Sequence, residues 1–87
     1  MLRLAHRANA EYAVQVQCKT FWRRKEYWVP LCAFHSLYFH LRDKFGDTFP
    51  VSYRDPLIFD NLKYAKDVFR EVERYYDIHA HEWEPVA

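Results

Sequence analysis

From Tyr12 the chain alternates. Tyr12, Val14, Val16 and Cys18 fall on one side and Gln15, Gln17 and Lys19 on the other, the period-two signature of a half-buried strand. Arg23-Arg24-Lys25 breaks the pattern, and Tyr27, Val29 and Leu31 resume it, so the two runs predict a β-hairpin over 12–31. Its connection holds no glycine and no Asn-Gly pair, which predicts a loop of three to five residues rather than a two-residue turn. Pro30 has no N–H to give to a ladder and places part of the second strand at an edge or a bulge. Met1 to Glu11 shows mixed polarity without a clean period, so residues 1–10 are either a frayed tail or a short pairing segment.

Beyond the hairpin the period lengthens. Ser36 stands where an N-cap belongs, and Leu37, Leu41 and Phe45 follow at i, i+4 and i+8. Gly46 occupies the C-cap position, so the spacing predicts a short helix over 37–45. Pro50 and Pro56 mark 47–59 as a loop, with a short edge strand expected at Phe49–Tyr53. Asp60 or Asn61 caps the strongest helical pattern, over 61–76. There Leu62, Ala65, Phe69, Val72 and Tyr76 recur at spacings of three and four, and Val68 and Tyr75 widen the stripe. Lys63, Lys66, Asp67, Arg70, Glu71, Glu73 and Arg74 fill the opposite, solvated side. From Asp77 to Glu84, Ile78 and Ala80 alternate with His79, His81 and Trp83, predicting a final strand that Pro85 ends.

Strand, strand, helix, loop, helix and strand make an α+β chain. The expected architecture is a two-layer sandwich: a small antiparallel sheet, the 12–31 hairpin plus the 77–84 strand, packed on the 61–76 helix. Val14, Val16, Val29, Leu31, Leu62, Phe69, Val72 and Ile78 are the expected core. Eighty-seven residues suffice for one domain, 1–87, burying roughly 60–65% of the unfolded surface. Seven Phe, seven Tyr and three Trp strengthen so small a core and argue against disorder.

A net charge of +1 lacks the basic excess of a non-specific nucleic-acid binder. The charge is uneven along the chain. Arg3, Arg7, Lys19, Arg23, Arg24 and Lys25 dominate the first third, whereas Glu73, Asp77, Glu82 and Glu84 oppose Arg74 alone near the C-terminus. No run approaches the ~20 apolar residues of a membrane span. Arg3, His6 and Arg7 interrupt Met1–Ala10, which predicts no secretory signal. Cys18 and Cys32, on neighbouring predicted strands, are therefore expected as free thiols in a reducing cytoplasm.

Four features bear on chemistry. The hairpin tip sets Lys19, Arg23, Arg24 and Lys25 among Phe21, Trp22, Tyr27 and Trp28. Such a set pairs phosphates and stacks bases, or forms a protein-binding hot spot, unless its rings simply fold back from a solvated turn. His79 and His81 share one side of the predicted strand and would reach one metal with His35, His40, Glu82 or a cysteine, though solvated histidines are the commoner outcome. Cys18, Cys32 and the histidines form no recognisable nucleophilic motif, and Gly46 as the sole glycine excludes a Gly-rich phosphate loop. Glu82, Trp83 and Glu84 read as a solvated edge rather than as a mimic of nucleic-acid charge.

The succession of Tyr-Ala-Val-Gln-Val-Gln, Trp-Arg-Arg-Lys, Tyr-Trp-Val-Pro and Leu-Lys-Tyr-Ala-Lys-Asp-Val-Phe resembles small phage-encoded accessory proteins, anti-CRISPR proteins among them. The resemblance spans residues 12–84 and is one of pattern. It implies a compact inhibitor of a host or defence protein and carries no site residues over, because that group shares no common site. The resulting expectation is a non-enzymatic protein-interaction module without a cofactor, binding through Lys19, Phe21, Trp22, Arg23, Arg24, Lys25 and Trp28. A nucleic-acid-binding domain using the same tip and a metal-binding regulator through His79 and His81 are the alternatives. Edge strands and exposed rings also leave a homodimer open.

Overall fold

The alternation beginning at Tyr12 produces the strand on which the rest of the molecule is laid. The computed structural model describes residues 2–8, 10–19 and 26–79. Strand β1 (Leu2–Arg7) runs antiparallel to β2 (Glu11–Lys19), with Leu2 opposite Val16, Leu4 opposite Val14 and His6 opposite Tyr12. Residues 2–7 are thus the pairing segment, not a frayed tail. Ala10 closes the β1–β2 turn in the left-handed region, φ 57°, its N–H donating to the Arg7 carbonyl.

The far side of β2 is shared. Strand β3 (Glu26–Pro30) pairs with Gln15–Lys19, and β4 (Ile58–Phe59) pairs with Tyr12 and Ala13. Pro30 ends β3 at the sheet edge, as its missing N–H requires. Beyond it the chain leaves β2 through a closed ring of three backbone hydrogen bonds. Leu31 N–H donates to the Val14 carbonyl (2.8 Å), Val14 N–H to that of Leu57 (3.0 Å), and Leu57 N–H to that of Leu31 (2.8 Å). Residues 31–33 then run along 54–57, with Cys32 bridging Pro56 and Ala33 exchanging hydrogen bonds with Asp55 and Arg54.

Helix α1 (His35–Phe45) packs beside helix α2 (Leu62–His79), which lies over β1, β2 and β4 on the face carrying Leu2, Leu4, Val14 and Val16. Asn61 caps α2, its Oδ1 accepting the Tyr64 N–H at 3.0 Å. Gly46 caps α1 with φ 79°, its N–H donating to the Arg42 carbonyl. Ser36 is not the N-cap. Phe34 holds that position, and the Ser36 hydroxyl is instead hydrogen-bonded to the Tyr75 hydroxyl of α2.

Val14, Ala33, Leu37, Leu41, Val51, Leu57, Phe59, Ala65, Val68 and Val72 form the buried core. Four expectations are corrected. The final strand does not begin at Asp77, because the i→i−4 ladder of α2 continues through His79; residues 80–84 lie outside those described. Asp77–His79, the described part of the expected strand, is too short a run to separate the two periods. Phe49–Tyr53 is not a strand: Phe49 N–H turns back to Gly46, Asp55 N–H turns back to Ser52, and Val51 inserts into the core. Leu62 and Ile78 are exposed, Ile78 by 53%, since Ala65, Val68 and Val72 set the inward face of α2. Val16, Val29, Leu31 and Phe69 are half-buried at its margin.

Candidate interaction surfaces

The open face of the sheet carries what is described of the expected hairpin site. Lys19 pairs with Glu26 in the ladder, while Phe21, Trp22, Arg23, Arg24 and Lys25 lie outside the described residues. Trp28 is half-buried, and the Arg3 guanidinium lies over its ring with Cζ 4.1 Å from the centroid. Arg3 also donates from Nε to Gln15 Oε1 at 2.7 Å. The interaction therefore crosses the central strand, linking β1 to β3. Nearby, Gln17 Nε2 donates to Glu26 Oε2 and Arg7 Nη2 to Glu11 Oε2 (2.6 Å). A cation–aromatic contact at such an exposed site is worth about 0.5–1 kcal/mol.

A second surface was not anticipated. Phe39 of α1 is 63% exposed and packs against Tyr38 (ring centroids 5.3 Å apart) and Tyr53 (6.3 Å). Tyr38 and Tyr53 meet edge-on at 5.5 Å, and Phe34 is exposed at the start of the same helix. Arg54 Cζ stands 5.5 Å from the Tyr53 centroid. One backbone bond and one side-chain contact hold this patch: Arg54 N–H donates to the Ala33 carbonyl, and Tyr53 OH is 3.5 Å from His35 Nδ1. His35 (φ 50°) and Arg54 (φ 75°) both occupy the left-handed region. L-residues persist there only where surrounding contacts fix them. The sequence signal was available: Phe39 falls two residues past Leu37, off the Leu37–Leu41–Phe45 stripe.

Between the helices lies a polar seam built from two i, i+4 pairs. His40 Nε2 donates to Glu71 Oε1 at 2.8 Å, and Ser36 is bonded to Tyr75 one turn away. The imidazole and the Tyr75 ring are 5.3 Å apart. A groove of about 630 Å³ opens beside them, lined also by Phe39, Arg42, Asp43 and Asp47. Ser36 bonds the phenol rather than the imidazole, so no Ser–His nucleophile is assembled.

A larger cleft of about 720 Å³ lies at the start of α2, with Phe59, Ile58 and Tyr64 below Glu11, Asp60, Lys63 and Asp67. The Tyr64 hydroxyl is buried without a hydrogen-bond partner among the described residues, and burial raises its pKa above 10.0.

The metal expectation loses its premise, because His79 lies on a helix and His81 lies outside the described residues. Among the described residues no three His, Cys, Asp or Glu side chains group as metal ligands. Cys18 and Cys32 are free and half-buried. No helix of the described residues is long and apolar enough to cross a membrane. No protein family, curated protein or solved structure matches the chain.

Proposed function

We propose that this chain is a non-enzymatic protein-interaction module, and the observation that carries the reading is the exposed Phe34–Phe39–Tyr53–Arg54 patch. Exposed aromatic rings beside an arginine are the composition of binding hot spots. The rings sit on a helix and a loop fixed by the Ala33–Arg54 hydrogen bond and by two left-handed residues, so little order has to be gained on binding. The hairpin, with Lys19, Phe21, Trp22, Arg23, Arg24, Lys25 and Trp28, forms a second contact surface in the same reading. Trp28 is already immobilised beneath Arg3. A host or defence protein, inhibited by a phage or mobile-element product, is the partner class that the resemblance supports.

The test is a capture experiment from host lysate, with and without nuclease, using wild type and the F39A/Y53A and W22A/R23A/R24A variants. A protein recovered in both arms by wild type and lost with F39A/Y53A, whose circular dichroism stays native, supports the reading. Recovery that vanishes on nuclease treatment replaces it with nucleic-acid binding through the hairpin, for which affinity should fall linearly with log salt.

A further inference from the structure

Both layers of the fold stop on the same side. In the helical layer, α1 packs on the flank of α2 that carries Tyr64, Glu71 and Tyr75. Among the described residues no element packs on the other flank beyond β1. In the sheet, β1 is outermost and pairs only with β2, which leaves its second backbone edge unpaired among the described residues. An open edge next to an open helix flank is a surface on which both layers can continue.

That flank has a regular stripe. Leu62, Phe69 and Tyr76 are spaced by seven, so they lie within about 20° of one line along the helix. Leu62 shares a surface depression with Leu4, Ala5 and His6, and Tyr76 shares another with Leu2 and Val16. The stripe therefore runs beside β1, with its midpoint Phe69 between these two depressions.

We infer that the chain forms a two-fold homodimer, β1 pairing antiparallel with β1 of a second copy while the Leu62–Phe69–Tyr76 flanks of the two α2 helices meet. Charge selects the strand register. Residues opposite one another must share a face, so the axis passes through Arg3, Leu4 or Ala5. An axis at Arg3 opposes Arg3 to itself, and one at Ala5 opposes Arg3 to Arg7, both unfavourable like-charge pairs. An axis at Leu4 opposes Leu4 to itself, Leu2 to His6 and Arg3 to Ala5, with no charge conflict.

The helices are compatible with that axis. A two-fold through Phe69 sets Leu62 against Tyr76 of the other copy. It also brings Lys66, three residues before Phe69, against Glu73, four after it, twice by symmetry. Lys66 and Glu73 are exposed and make no ion pair among the described residues. Arg70, the other cation near the axis, lies about 100° around the helix from Phe69. Strand register and helix charge thus agree on a second copy as the occupant. The inference does not depend on the aromatic patch or the hairpin.

Sedimentation velocity on the full chain tests it. Wild type should be dimeric at about 100 µM, well above a micromolar dissociation constant. K66E or E73K alone turns two attractive contacts repulsive and should weaken the dimer about tenfold, while K66E/E73K should restore it. These exposed positions leave the core untouched. A monomer at that concentration overturns the inference, and so does a dimer indifferent to the single charge reversals.

Discussion

His40 donates from Nε2 to Glu71 Oε1 across 2.8 Å, joining α1 to α2 where the Glu71 side chain is only 11% exposed. A carboxylate so little hydrated needs its partner more than the partner needs it. H40A should therefore cost about 2 kcal/mol of unfolding free energy, most of it from the orphaned carboxylate. H40L/E71L removes both polar groups and should return close to wild type. Urea denaturation of the two variants checks this; equal losses in both would show that packing, not the hydrogen bond, sets the cost.

Trp28 and Arg3 are coupled across β2, and the coupling is measurable without a ligand. A double-mutant cycle with W28A, R3A and the pair should give about 0.5–1 kcal/mol of interaction. Additive losses would place the guanidinium elsewhere in solution.

Tyr64 is a phenol whose hydroxyl is buried without a partner among the described residues, so Y64F should stabilise the fold by about 1 kcal/mol. The same burial fixes a pH dependence. Burial raises the Tyr64 pKa above 10.0, and burial followed by the neighbouring Tyr75 raises that of Tyr76. As pH climbs past 10.0 the unfolded chain loses these protons first. Stability is thus full below pH 10.0 and falls above it, and Y64F should flatten that fall in thermal melts.

Gly46 and Ala10 predict opposite signs. Gly46 has φ 79° and open space where a Cβ would stand, so G46A carries backbone strain alone and should cost about 1–2 kcal/mol. Ala10 already bears that strain at φ 57°, and A10G should gain about 0.5 kcal/mol once the extra chain entropy of glycine is deducted. Melting temperatures moving in the same direction for both variants would contradict the backbone assignment.

The hairpin, the Asn61 cap, the Gly46 cap and both helices could be read from the residues, because each rests on local period or on a local hydrogen bond. What escaped reading depends on distant partners. Ser36 stands at a cap position by sequence, but its hydroxyl is taken by Tyr75, thirty-nine positions away. Val51 and Leu57, in a stretch marked as loop by its prolines, are core residues, Leu57 because 54–57 pairs with 31–33. β1 was ambiguous because His6, on its inward side, hides the alternation that Leu2 and Leu4 begin. The Phe39–Tyr53 patch joins a helix to a loop fourteen residues on, which no single-segment pattern displays.

The ring of hydrogen bonds among Val14, Leu31 and Leu57 sets an order on the birth of the molecule. Each member supplies a donor to one neighbour and an acceptor to the other, so two of the three cannot close it. A nascent chain emerging residue by residue has β1, β2 and β3 in hand long before Leu57 leaves the ribosome. Until then Val14, at the centre of the core, lacks the partner that its N–H has among the described residues, and the Leu31 carbonyl waits likewise. The ring therefore closes only once Leu57 is available, so one late leucine completes the sheet and the floor beneath the helices together.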